Sequence, residues 1–140
     1  MTERRLAAVE RAALVGLVTG AMRRADAEQS LDELAALAGA AGAIAVVRAL
    51  QERSSPDSAT FIGRGKAQTL ALACTEARVD LVIVDNELTP AQLRELQDLV
   101  GCKVIDRTQL ILDIFAQHAR SSEGKLQVEL AQLEIGRAHV

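Results

Sequence analysis

Aromatic residues are almost absent from this sequence of 140 residues. Phe61 and Phe115 are the only ones, and neither Trp nor Tyr occurs. Many proteins bind single-stranded nucleic acid by stacking bases on aromatic rings, so this shortage weakens that route to RNA or DNA. The hydrophobic fraction of 49% comes mostly from Ala, Leu and Val, which suits helices packed on a buried parallel sheet.

The sequence also lacks an excess of basic charge, clustered cysteines and a long apolar run. Its net charge of −3 gives no overall positive field that would attract nucleic acid or a membrane surface. Cys74 and Cys102 lie far apart without a CxxC motif or a Cys/His cluster, so we predict reduced thiols. No signal peptide is visible, and the apolar run Ala12–Val18 is too short to cross a bilayer. We therefore predict a soluble, cytoplasmic protein.

Apolar runs alternate with amphipathic segments along the chain. The runs predict buried strands, and the segments between them predict helices with one apolar face each. The predicted strands are Ala12–Val18, Ala43–Gln51, Val79–Asp85 and Lys103–Asp106. Crossovers of this length are typical of right-handed parallel connections. We predict a three-layer α/β fold with a mostly parallel sheet of about four strands and a C-terminal helical extension.

Two helix starts carry capping signals. In both, a hydroxylated residue precedes an acid or amide by three positions, at Ser30–Glu33 and at Thr89–Gln92. Pro90 strengthens the second start because proline is favoured in the first helical turn. The polar segment Thr19–Gln29 before the first box is predicted to be a loop. A further helix is predicted to begin near Lys66.

The C-terminal part has a helical period that is still open where the sequence ends. A helix is predicted from Thr108, followed by a break at Ser121–Gly124 and a final helix from Lys125. The final helix carries a narrow stripe without a partner, formed by Leu126, Leu130 and Leu133. We divide the chain into an α/β domain at 1–107, the start of a helical extension at 108–134 and a non-native tail at 135–140.

Glycines and a lysine meet at one predicted helix start, in the stretch FIGRGKA. Gly63, Arg64, Gly65 and Lys66 could present backbone N–H groups and a cation to a phosphate or an RNA backbone. A P-loop would need Gly at Thr60 and Ser or Thr at Ala67, so this is not a Walker A motif. The alternative, which the residues alone favour, is a tight glycine turn that only starts a helix.

Asp85 ends the clearest predicted strand, where the phosphoacceptor of a receiver domain would stand. That chemistry also needs an acidic pair after the first strand and a lysine after a later strand. Thr19–Gly20 follow the first strand, and Lys103 stands at the start of its strand and not after it, so a loop-capping role for Asp85 is favoured. Neither His118 nor His139 has a Cys or carboxylate at ligand spacing, and we predict no catalytic residue and no metal site.

Three stretches resemble the N-terminal domain of the HflX-type ribosome-associated GTPases. In order they are FIGRGKAQTLA, DLVIVDNELTPAQ and VIDRTQLILDIFAQHARSSEGKLQVELAQLE, and the third is long and nearly gap-free. The resemblance covers Arg11–Glu134. In that family the last helix continues into a long helical hairpin, whose glycine-rich tip enters the large ribosomal subunit, and a GTPase domain follows.

The resemblance implies a domain that helps to seat a GTPase on the large ribosomal subunit and restrains the GTPase domain. The whole protein would use GTP to split or rescue stalled ribosomes. The family has also been linked to RNA and adenine-nucleotide binding, for which Gly63–Lys66 is the plausible contact here. The expected partners are the large subunit with its rRNA, reached through the full-length protein, and the missing GTPase domain. A monomer without membrane contact is expected.

The family's nucleotide-binding motifs have no positions in this sequence. GxxxxGKS/T, DxxG and NKxD are all missing, so we expect no cofactor in this chain, and GTP with Mg²⁺ in the missing GTPase domain. The closing IGRAHV does not resemble the family's continuation, and we interpret the chain as a fragment of a longer protein. Two other hypotheses stay open: a stand-alone receiver-like signalling module, and a small nucleotide-binding domain built on Gly63–Lys66.

Overall fold

Strands and helices alternate through residues 9–121, which the computed structural model describes. The elements are β1 (Glu10–Thr19), α1 (Arg24–Ala40), β2 (Ala43–Arg53), α2 (Arg64–Glu76), β3 (Leu81–Val84), α3 (Pro90–Val100), β4 (Lys103–Asp106) and α4 (Arg107–Ser121). All four predicted strands are confirmed within a few residues. The predicted helix from Lys125 and its leucine stripe lie outside the described residues.

The strands form one parallel sheet in the order β2-β1-β3-β4. β1 is the central strand, and it is buried from Ala12 to Val18. It pairs with β3 only over Ala12–Val15, whereas Gly16–Thr19 continue beside β2. The chain therefore moves to one side of β1 first and then to the other. This leaves a topological switch point between the carboxyl ends of β1 and β3, where α/β folds commonly bind ligands.

Side chains of β1 alternate between two hydrophobic cores. Ala13, Val15 and Leu17 face the core that α2 and α3 cover, while Ala12 and Leu14 face the core under α1 and α4. The predicted three-layer α/β fold is therefore confirmed, with an entirely parallel sheet as its middle layer. Along residues 9–121, no helix combines the length and the apolar character that crossing a membrane requires.

The predicted capping box Ser30–Glu33 is wrong, because α1 already begins at Arg24. Ala27 and Leu31 lie one turn apart on its buried face. The exposed face of the same turns is polar and carries an ion pair between Arg24 and Glu28 at 3.4 Å. The buried positions Ala27 and Leu31 are isolated among polar residues, so the sequence of this segment has the composition of a loop.

The predicted cap of α3 is confirmed. Thr89 Oγ1 accepts a hydrogen bond from the Gln92 backbone N–H at 3.1 Å, and the Gln92 side chain accepts one from the Thr89 N–H at 3.0 Å. Pro90 is the first helical residue, and Gly101 ends the helix in the left-handed region with φ at 82°. Each signal is local, which explains why the sequence alone was sufficient.

Helix α4 starts without a loop directly after β4. One Asp106 carboxylate oxygen accepts a hydrogen bond from the Gln109 N–H at 3.0 Å and so caps the new helix. Leu110 is buried, and Ile114 packs against the same core. Phe115, which the helical period predicted on this apolar face, is 66% exposed. The first turns of α4 therefore belong to the α/β core.

We predict that Thr89→Ala lowers the free energy of unfolding by about 1 kcal/mol, because the backbone N–H of Gln92 loses the hydroxyl that accepts its hydrogen bond. Thr89→Ser keeps the hydroxyl and should stay within a few tenths of a kcal/mol of the parent chain. Urea denaturation followed by circular dichroism measures both. Equal stability of the Ala variant and the parent would contradict the role given to the cap.

Candidate functional site

Residues Gly63–Lys66, here called the glycine–lysine turn, connect β2 to α2. Gly63 is the N-cap in an extended conformation, and α2 begins at Arg64, two residues before the predicted start. The Gly63 N–H donates to the side-chain oxygen of Gln51 at 2.9 Å, and its carbonyl accepts from the Ala67 N–H at 2.9 Å. The turn is thereby fixed to the carboxyl end of β2.

The loop before the turn has a rigid hydrogen-bond pattern. Asp57 and Phe61 exchange two backbone hydrogen bonds of 2.8 and 2.9 Å. The Asp57 carboxylate accepts from the N–H groups of Thr60 and Ala59, which lower the pKa of Asp57. Phe61 adopts a φ of 68° that is uncommon outside glycine, and its burial to 3% exposure offsets that strain. The loop therefore holds the glycine–lysine turn in a fixed position.

The start of α2 carries positive charge of two kinds. No side chain caps it at Gly63, so the first N–H groups and the helix dipole contribute a partial positive charge. Arg64 is exposed and Lys66 is half-buried, and neither forms an ion pair with any residue from 9 to 121. A Cβ built on Gly65 would meet nothing within 4 Å. The helix start is therefore open to an anion.

Two more arginines lie near this helix start, Arg53 at the end of the edge strand β2 and Arg24 at the start of α1. Arg53 Nη1 lies 3.0 Å from the point where a Gly63 Cβ would stand, and only a 4.0 Å contact joins Arg53 to Asp57. Arg24 lines the same surface groove, of about 310 Å³, as Lys66. We call Arg24, Arg53, Arg64 and Lys66 the basic patch. Arg24 is paired with Glu52 at 3.2 Å and with Glu28 at 3.4 Å, so Arg64 and Lys66 are the members of the patch that present cations without an ion pair among residues 9–121.

Asp85 does not have the loop-capping role that was predicted. Its side chain is 8% exposed, and its Oδ1 lies 2.8 Å from Nε and 2.7 Å from Nη2 of Arg107. Arg107 Nη2 also donates to the carbonyl and hydroxyl oxygens of Ser30, at 3.1 and 3.2 Å. Because Arg107 and Ser30 belong to α4 and α1, this ion pair could not be found from local spacing.

A receiver-type site is not formed around Asp85. The strand order agrees with the first four strands of the fold that receiver domains share. However, Thr19 and Gly20 stand where the acidic pair is needed. Lys103 is the first residue of β4 and therefore lies at the amino ends of the strands, whereas Asp85 follows the carboxyl end of β3. Among residues 9–121, no three His, Cys, Asp or Glu side chains are placed to hold a metal ion.

Cys74 and Cys102, which the sequence separates widely, are neighbours in the fold. Both are free thiols, and both contact the core under α2 and α3. Burial raises the pKa of Cys74 to about 11, and Cys102 adds to this shift. No sequence motif indicates the contact, because one thiol lies on α2 and the other follows α3.

Arg107→Ala and Asp85→Ala should each lower the free energy of unfolding by about 2 kcal/mol, because each leaves a poorly solvated charge without its partner. The double variant should lose clearly less than the sum of the two. The matched control is the exposed pair Arg48–Asp32, whose side chains are 45% and 68% exposed. Replacing either of these residues by Ala should lower the free energy of unfolding by at most about 1 kcal/mol. Additive losses in urea denaturation would contradict a coupled pair at Asp85.

Raising the pH should destabilise the fold through Cys74. A cysteine ionises near pH ~8.5 when unfolded, whereas the pKa of folded Cys74 is about 11. Its stabilising contribution is therefore complete below the unfolded pKa and is lost as the pH rises through the folded one, roughly 3 kcal/mol in all. The urea midpoint should fall less steeply with pH for Cys74→Ala. Parallel pH profiles for the two proteins would refute this.

The described residues define a doubly wound α/β domain with a basic patch at one end of its edge strand. The profile of the family "GTP-binding GTPase N-terminal" matches residues 28–116, from within α1 into α4. The chain belongs to this family of GTPase N-terminal domains, which confirms the resemblance seen in the sequence.

Curated relatives named GTPase HflX agree with this assignment. The chain is 46% identical over 125 residues to GTPase HflX of Caldanaerobacter subterraneus subsp. tengcongensis, covering 89% of this chain and 28% of the relative. It is 49% identical over 105 residues to GTPase HflX of Escherichia coli, covering 75% and 25% of the two chains. The chain thus spans little more than a quarter of the length of these relatives.

Two solved structures are similar to this chain in fold and sequence. The chain matches the crystal structure of SsGBP in complex with GDP with a TM-score of 0.62 and 27% identity, covering 90% of this chain and 35% of that one. A GTP-binding protein of Sulfolobus solfataricus in complex with GDP gives a TM-score of 0.60 at 27% identity, with 91% and 37% covered. The GDP in these two structures is bound to those proteins.

Proposed function

We propose that this chain is the ribosome-binding and regulatory N-terminal domain of an HflX-like GTPase. The whole protein would associate with the large ribosomal subunit in the cytoplasm and use GTP to split or rescue stalled ribosomes. GTP and Mg²⁺ would be held by the GTPase domain, which is also the proposed intramolecular partner of this domain, and the protein would act as a monomer. Membership of the GTPase N-terminal family supports this proposal.

The observation that carries the proposal is the basic patch at the start of α2. Two of its cations, Arg64 and Lys66, are not neutralised by any described carboxylate. Cations and free backbone N–H groups at a helix start are the groups that proteins use to contact phosphates of a nucleic-acid backbone. Such contacts position a protein on RNA without reading its sequence.

The chemistry of the patch favours phosphates over bases. Phe61, the aromatic residue nearest in sequence to the turn, is buried and cannot stack on a base. The open space beside Gly65 instead allows a phosphate to approach the backbone of the first helical turn. We therefore assign Gly63–Lys66 the role of an rRNA phosphate contact within the proposed ribosome-binding domain.

A small nucleotide-binding domain is the alternative that rests on the same turn. The phosphates of a free nucleotide would use the same N–H groups and the same lysine. The two hypotheses differ in what competes. If the turn binds a free nucleotide, a nucleoside triphosphate should compete for it at micromolar concentrations. If the turn contacts an rRNA phosphate, the nucleoside triphosphate should release the chain from rRNA only weakly.

Lys66→Ala and Arg64→Ala should each weaken binding to isolated large ribosomal subunits by roughly three- to ten-fold at low salt, because each removes about one phosphate contact. The slope of log K against log salt should fall by about one for each variant. Sedimentation at several salt concentrations measures both quantities.

Lys103→Ala is the matched control for these two variants. It removes the same charge from the opposite edge of the sheet, where β4 begins, and should bind like the parent chain. If all three substitutions weakened binding equally, the loss of affinity would come from the change in net charge and not from contacts of the basic patch. Steady GTP or ATP turnover that Lys66→Ala abolishes would instead favour an enzyme built on the turn.

A further inference from the structure

The outer edge of β2 has no neighbouring strand. β2 ends the sheet on one side, and no strand formed by residues 9–121 pairs with its outer edge. The strand is 11 residues long and contains no proline. Edge strands are usually kept short, or they carry proline, charges or bulges, because their free N–H and C=O groups can pair with another chain. β2 is therefore a long template for a further strand.

Two of these protections are present in β2 but do not cover its middle. The register with β1 shifts once, and Val46 is the extra residue at that point. From Val47 onward the two strands again pair residue by residue. The charge of Arg48 is turned towards α1, where its Nη1 lies 2.6 Å from a carboxylate oxygen of Asp32. The main chain of residues 47–50 is thus regular and lies at the open edge.

A surface groove of about 310 Å³, here called the edge groove, follows this stretch of β2. It is lined by residues 47–50 and by Thr69, Leu70 and Ala73 on one side of α2. Because consecutive residues of a strand point to opposite faces of the sheet, a groove lined by four residues in a row runs along the edge and not over one face. The edge groove therefore has the position that an added strand would take.

The middle of the edge groove is apolar. Val47 and Ala49 are half-buried on the strand and pack against the core under α2 and α3. Leu70 and Ala73 face the groove from α2, one turn apart. An occupant with small apolar side chains on one of its two faces would complete this contact.

The charge of the edge groove is positive and lies at one end. Its lining includes Arg24, Arg48 and Lys66 and, among the described residues, no carboxylate. Arg24 and Arg48 are already paired with carboxylates of α1 and β2, whereas Lys66 forms no ion pair with any residue from 9 to 121. The charge that complements the groove is therefore a carboxylate beside Lys66.

We propose that the open edge of β2 binds an extended, acidic segment of a partner protein as a fifth strand of the sheet. Main-chain hydrogen bonds to β2 supply the affinity, and alternate side chains of the segment supply the specificity. Apolar side chains of the segment lie against Leu70 and Ala73, and an acidic side chain pairs with Lys66. Because Lys66 also belongs to the basic patch, such a segment competes with an rRNA phosphate. The binding itself does not depend on the proposed ribosomal role.

The test titrates the full chain, labelled with ¹⁵N, with a capped octapeptide of alternating valine and threonine that ends in two glutamates. Two versions carry the glutamates at the amino or at the carboxyl end, and the tighter binder gives the direction of the added strand. Saturable shifts of the amide signals of residues 47–50 are expected. The same peptide with lysines in place of the glutamates should bind on the order of ten-fold more weakly, because attraction to Lys66 becomes repulsion.

N-methylation of the peptide separates strand addition from simple charge attraction. Successive N–H groups of a strand point to opposite sides, so methylation of every second residue blocks one edge of the peptide only. Of the two peptides methylated in alternate phase, one should bind β2 and the other should not. Equal binding of both would overturn the proposal.

Ala73→Glu places a carboxylate in the edge groove and should weaken binding of the acidic peptide by about ten-fold or more, because like charges repel and the groove is filled. Leu72→Glu is the matched control. Leu72 is 71% exposed on the same helix and does not line the groove, so this variant should bind like the parent chain.

The peptide titrations of the parent chain decide the question even if a variant does not fold. No saturable binding of either acidic peptide, or equal affinity for the lysine peptide, would overturn the proposal. Association of the peptide-free chain with itself through β2, seen in sedimentation and in the same amide signals, would also overturn it, because a second copy would then be the occupant. None of these results would change the binding of the chain to ribosomal subunits.

Discussion

Arg107 connects three elements that are distant in the sequence at the carboxyl end of the sheet. Its guanidinium group binds the carboxylate of Asp85 at the end of β3 and two oxygens of Ser30 in α1, and it stands at the first position of α4. Because Asp85 is nearly excluded from water, the pair must keep its geometry or leave a poorly solvated charge. The packing of α4 beside α1 on one face of the sheet depends on this contact. It also occupies Asp85, the only residue that suggested receiver chemistry.

The elements that could be predicted are those whose signals are local. The four strands were recognisable because parallel strands covered on both faces read as apolar runs, and the cap at Thr89 because all its partners lie within three residues. The start of α1 was missed, since Ala27 and Leu31 are buried by contacts with the sheet that no window around Arg24 contains. The strand order and the packing of Cys74 and Cys102 on one core depend on tertiary structure, and no spacing rule indicates them.

For the candidate site, the sequence identified the segment but not its setting. Gly63–Lys66 could be singled out because glycines before a lysine at a helix start suit an anion. The sequence could not indicate that Gln51 would hold the turn, or that Arg53 would lie beside it, since both come from the end of β2. Nor could it indicate that the structure leaves room for a side chain at Gly65.

The unequal strand lengths give the carboxyl edge of the sheet a step. β1 and β2 run four residues past the end of β3, from Gly16 to Thr19 on β1, which corresponds to roughly 13 Å of strand. Past Val15, β1 therefore has a strand neighbour among residues 9–121 only on its β2 side, and on the other side the backbone of Gly16–Thr19 faces the switch point without a strand partner. The step thus leaves one wall of the switch point formed by main-chain groups of β1.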